Sequence, residues 1–152
     1  MPNRLPLALA LIVLASANAA EIRAQKVVAE IKAAHPEITG LELAASRSEQ
    51  EGCKTIAATE VKEIGEKCDK DEFTAMKTNK PFIEMEKEHG EEVYDVTMPL
   101  HDAAGKVIGT VGMDFKSAPG QQEAQVRENA ERIAKELEAS IPSKEKLFEP
   151  AA

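Results

Sequence analysis

The chain has 152 residues, 27 acidic against 19 basic side chains, a formal net charge of −8, and only one Tyr, four Phe and no Trp. An acidic surface without a basic run repels nucleic acid and anionic lipid, both of which are held by clustered Lys or Arg. So few aromatics also argue against a stacking platform for bases or sugars, and the length suits one domain with one core.

The N-terminus reads as a secretory signal peptide over residues 1–19. Arg4 supplies the charge, Leu5 to Ala15 the apolar run, and Ala17-Asn18-Ala19 the small-x-small cleavage signal. The rival reading, a membrane anchor, needs about 20 apolar residues; this run is shorter, and Ser16 and Asn18 interrupt it. No cysteine stands near the cleavage site to suggest lipid attachment. A periplasmic protein beginning at Ala20 is expected, without membrane insertion. Loss of Arg4 leaves 18 basic against 27 acidic residues.

Glu21 to Ala34 is predicted as a helix, because Ala24, Val27, Val28 and Ile31 form one apolar stripe. His35-Pro36 ends it, since a residue before proline avoids the helical region. Ile38 to Ala45, with Leu41 and Leu43 alternating, is predicted as a strand, and Cys53 to Thr59 as its return after the polar stretch Arg47 to Gly52. Asp69 with Glu72 three residues on makes a capping-box start for a short helix carrying Phe73 and Met76, stopped by Asn79-Lys80-Pro81. Phe82 to Lys87 reads as a weaker strand, and Lys87 to Glu91 as a turn.

The segment from Tyr94 to Phe115 carries the most information. Tyr94, Val96, Met98 and Leu100 alternate with more polar residues, as do Val107, Val111, Met113 and Phe115 on the return. Asp102 opens the intervening turn and Gly105 closes it. After the breakers Ser117 to Gly120, Gln121 to Ala139 is the clearest helix, with Val126, Ala130, Ile133, Ala134 and Leu137 on one face. The tail, residues 141–152, contains Pro142 and Pro150 and is expected to be extended, docked by Leu147 and Phe148. The predicted order is α+β, an antiparallel sheet of about five strands with long N- and C-terminal helices packed on it.

Pro99-Leu100, the turn acid Asp102, the run Gly105 to Gly109, and Gly112-Met113-Asp114-Phe115 together resemble the closing hairpin of Cache domains, the PAS-like extracytoplasmic sensors of bacterial receptors. The resemblance covers residues 20–140 in topology and about Met98 to Phe115 in motif. It implies a small polar metabolite as ligand, no cofactor, and signalling through a partner, either a membrane receptor or a second copy. In amino-acid-binding Cache domains the aspartate of the Gly-x-Asp motif accepts hydrogen bonds from the ligand's amino group, and Asp114 matches that position. The subfamily's Arg-x-Trp-Tyr constellation has no counterpart: Arg23, Arg47, Arg127 and Arg132 lie in terminal helices or a polar loop. Amino-acid binding therefore does not carry over.

Strand parity puts Ile108, Thr110, Gly112 and Asp114 on one face and the drier set Val107, Gly109, Val111, Met113 and Phe115 on the other. The expected ligand face holds Asp114 and Thr110, joined by Tyr94 if the loop has three residues, or by Asp95 and Thr97 if it has four. The alternative is an interaction module of the same fold whose pocket is filled by its own side chains. Cys53 and Cys68, the only cysteines, are expected to be disulfide-bonded in an oxidising compartment. His35, His89 and His101 show no metal-ligand spacing. Glu84, Glu86, Glu88, Glu91 and Glu92 read as a solvated sheet edge. His101 beside Asp102 has no nucleophile, so no enzyme is expected.

Overall fold

The computed structural model describes residues 20–152; the expected signal peptide lies outside the described residues. Helix α1 (Arg23–Ala34) buries Ala24, Val27, Val28 and Ile31, the predicted stripe. No side chain caps its start. Instead the end of the chain returns there: Arg23 N donates to Glu149 O at 2.7 Å and Ala151 N to Glu21 O at 2.8 Å. The tail is thus tied down, and it is not extended throughout. Lys144–Phe148 form a helical turn, α4. The reason for this correction is burial: Ile141 and Leu147 are both fully buried in the core, and one helical turn brings Leu147 inward.

Strands β1 (Ile38–Ala45), β2 (Lys54–Ala58), β3 (Phe82–Glu88), β4 (Glu91–His101) and β5 (Val107–Lys116) form one antiparallel sheet in the order β2-β1-β5-β4-β3. This is the expected α+β, PAS-like arrangement. Helices α1 and α3 (Glu123–Ala139) pack with α4 on one face, where Leu41, Leu43, Val96, Leu100, Val111, Met113 and Phe115 meet Val126, Ile133 and Leu137. Two histidines fasten α3 to the rest of the fold, His35 Nε2 to Glu136 at 2.7 Å and His101 Nδ1 to Glu138 at 2.8 Å.

Helix α2 (Lys70–Thr78) begins at the predicted capping box: Asp69 Oδ1 accepts from Asp71 N and Glu72 Oε2 from Asp69 N, both at 2.8 Å. It ends at Asn79 in the left-handed region (φ 52°). It lies over β4 and β5 on the face away from α1 and α3, with Ala75 inward and Phe73 turned to solvent. A 3₁₀ turn, Val61–Glu63, and the segment after it fold back on β2, where Thr55 N donates to Glu66 O at 2.8 Å and Gly65 N to Thr55 O at 2.9 Å. The expected disulfide joins Cys53 to Cys68 at the foot of this segment, with α-carbons 5.4 Å apart.

Candidate functional site

Hairpin register decides which side chains share the face opposite the core. Asp102 Oδ1 accepts from both Ala104 N and Lys106 N at 2.9 Å, and Gly105 closes the turn at φ 81°. The ladder slips once, between Leu100 and His101. Asp95 then stands opposite Asp114, Thr97 opposite Gly112, and Pro99 opposite Thr110. Tyr94 falls opposite Phe115 and is buried in the core. The expectation of Tyr94 in the ligand site is corrected: with Asp95 facing Asp114, alternation turns Tyr94 to the helix side.

On β1 the same parity brings Gly40 opposite Asp114 and Glu42 opposite Gly112. These glycines make room for the acids. A β-carbon at Gly40 would collide with the Asp114 carboxylate, and one at Gly112 would sit 2.8 Å from Glu42 Cγ. Each acid therefore lies down across a glycine of the neighbouring strand. Between this face, the segment Thr59 to Glu66 and the β3–β4 turn is a cavity of about 410 Å³. Gly40, Glu42, Asp95, Gly112 and Asp114 form its floor; Glu60, Glu63, Glu66, Glu88 and His89 form its rim. His89 and Gly90 make the turn, both at positive φ (48° and 83°), which matches a two-residue hairpin connection. Thr97 and Thr110 share the face but are buried on the part next to α2, and neither lines the cavity.

The electrostatics of the floor are one-sided. Burial pushes the Glu42 carboxyl up to about 7, helped by the charges of Glu72, Glu63 and Asp114. Burial likewise raises Asp95 to about 7, with Asp114 the next contributor, and raises Asp114 to about 6, with Glu88 and Glu63 adding. Glu72 rises to about 7 through burial and its contact with Asp69. Among the described residues none of Glu42, Asp95 or Asp114 pairs with a Lys or Arg. Thr55 Oγ1 approaches Glu42 Oε2 at 3.5 Å. No group of three His, Cys, Asp or Glu among the described residues is arranged to hold a metal. What the floor offers chemically is hydrogen-bond acceptance and negative charge, released by deprotonation near neutral pH.

The structure brings Asp114 and Asp95, both read from the sequence as candidates, together on this floor. Gly40 and Glu42 escape the sequence reading, although a signal for them is present. They alternate with the core residues Leu41 and Leu43, and a glycine inside such a strand marks close approach. Three of the rim glutamates, Glu60, Glu63 and Glu66, come from a segment that the disulfide closes and that pairs with β2, neither of which periodicity records.

No family model matches the chain, and no curated protein does either. Among solved structures the chain is similar to the type II free methionine-R-sulfoxide reductase of Thermoplasma acidophilum, at TM-score 0.53 and 15% identity over 82% of this chain and 92% of that one. It is also similar to the repressor BlcR of Agrobacterium tumefaciens, at TM-score 0.54 and 9% identity over 81% of this chain and 68% of that one. The PAS domain of Bordetella pertussis BvgS, at TM-score 0.33 and 14% identity over 63% and 86%, is too distant to weigh. At these identities the likeness is one of fold. The first of them corrects one expectation: the architecture is also that of an enzyme, so the exclusion of catalysis drawn from the sequence does not stand.

Proposed function

We propose that the chain is a periplasmic, Cache-like domain that binds a small amine-bearing cation in the acidic cavity and passes that occupancy to a partner. The observation that carries the reading is the cross-strand pair Asp95 and Asp114, laid beside Glu42 on the cavity floor with no Lys or Arg among the described residues to balance them. An ammonium group would supply the missing charge and donate to all three carboxylates, and charge-assisted bonds are roughly twice as strong as neutral ones. A volume of about 410 Å³ suits a metabolite rather than a bare ion. Export is supported by the signal grammar of residues 1–19 and by the Cys53–Cys68 disulfide, a bond that persists in oxidising compartments. No helix among the described residues is long and apolar enough to cross a membrane.

The test is a thermal-shift panel of amines (putrescine, spermidine and amino-acid amides) against carboxylates of matched size. A ligand specific for the native state raises its melting temperature. The amines are expected to stabilise the protein and the carboxylates are not. Asp114→Asn keeps the shape and removes a charge, so it should weaken the best amine by about 1.5–3 kcal/mol, about one to two decades, with the fold intact. A panel without an amine response, or equal affinity in the variant, overturns the reading.

A further inference from the structure

The geometry points to a second ligand site, on the opposite side of the Thr59–Glu66 segment, that takes a small carboxylate with an apolar body. The cleft there has a volume of about 380 Å³ and is walled by Ile22, Ile56, Ile64 and Phe148, with Arg47 at its mouth. It is built by the return of the tail: the hydrogen bonds that tie Glu149 and Ala151 to the start of α1 place Phe148 beside Arg47. Ile64 is 40% exposed, one of the few large apolar side chains the fold leaves in water.

Charge gives the cleft its selectivity. The guanidinium of Arg47 lies over the Phe148 ring, 4.9 Å from its centroid. The contact holds the guanidinium over the apolar wall without using its N–H donors, the groups that bind a carboxylate in a two-pronged fashion. Lys54, also at the cleft, is neutralised by Glu51 at 3.1 Å. Arg47 has no carboxylate or hydrogen-bond partner among the described residues. In a chain with a net charge of −8, a cation left unpaired over an apolar cleft is the complement of a carboxylate attached to a hydrocarbon. The ligand's carboxylate meets the Arg47 edge and its hydrocarbon covers Ile64, Ile56 and Phe148. This is the reverse of the acidic cavity, so neither site accepts the other's ligand.

Octanoate is the probe, with octanol and octylamine of the same chain length as controls, followed by amide and Arg side-chain NMR on the full mature chain. Octanoate is expected to shift Arg47 Nε–H and the amides of Ile56, Ile64, Gly65 and Phe148, and the controls to bind at least about tenfold more weakly. Arg47 is exposed, so Arg47→Gln should fold normally while losing about tenfold in octanoate affinity. Equal binding of octanol, unchanged affinity in Arg47→Gln, shifts confined to Gly40 and Gly112, or no shifts at millimolar octanoate would each overturn the site. Shifts at Gly40 and Gly112 would place octanoate in the acidic cavity and count against its preference for amines as well; the other outcomes leave amine binding at Asp95 and Asp114 untouched.

Discussion

Without ligand, the protein should be more stable at pH 5 than at pH 8, by about 3 kcal/mol or roughly 10 °C in melting temperature. Unfolded carboxyls titrate near pH 4. In the folded chain burial holds Glu42, Asp95 and Glu72 up to about 7 and Asp114 up to about 6. Between those limits the folded protein keeps protons that the unfolded chain has released. The stability these groups contribute is therefore complete below about pH 4 and is lost as pH rises towards 7. Each tenfold gain in proton affinity on folding corresponds to about 1.4 kcal/mol. The sum is discounted because the groups line an open cavity and titrate together. Thermal melts from pH 5 to 8 measure the slope, and Asp95→Asn with Asp114→Asn should flatten it. A melting temperature that rises over this range, or a slope unchanged in the double variant, would show that the floor carboxylates are not the cause. Amine binding should move the opposite way and strengthen towards pH 8, where the floor is fully charged and a primary amine is still protonated.

Removal of the disulfide should cost about as much. Cys53 and Cys68 are 15 residues apart, and a loop of that length is worth about 3 kcal/mol on the chain-entropy account. The cost should be local in the native state, because the bond closes off the segment that carries Glu60, Glu63 and Glu66 to the cavity rim. What remains to hold that segment is the short zipper to β2, including Thr55 N to Glu66 O at 2.8 Å and Cys68 N to Cys53 O at 3.1 Å. In the Cys53→Ser/Cys68→Ser variant the melting temperature should fall by roughly 10 °C. Hydrogen exchange at residues 59–68 should accelerate before the sheet changes. Unchanged melting and unchanged protection in that segment would mean that pairing with β2 holds the rim unaided.

Much of the scaffold was legible because its signals are local and periodic. The stripe of α1, the alternation of β1, the Asp69–Glu72 box and the Asp102–Gly105 turn each predict an element that the structure contains. The site was legible only in part. Asp114 stood out through its Gly-x-Asp context, but its cross-strand neighbour depended on the ladder slip at His101, which placed Asp95 there and sent Tyr94 into the core. Gly40 and Glu42 belong to the site through pairing with a strand distant in sequence, information that no local pattern holds. The tail misled for a related reason: Pro142 and Pro150 argue for extension, whereas burial of Leu147 imposes a helical turn between them. The expectation against catalysis came from the lack of a recognisable constellation, and a fold shared with a reductase removes its force.

The proposed amine site rests on Asp95, Asp114 and Glu42 sharing one cavity floor without a Lys or Arg partner among the described residues. Carboxyl ¹³C NMR, titrating these three side chains in the free protein and with the tightest amine of the panel, tests this most directly. Midpoints well above the usual carboxylate range are expected in the free protein, displaced downward together when the amine binds. Midpoints near 4 in the free protein, or midpoints that the amine leaves in place, would contradict it.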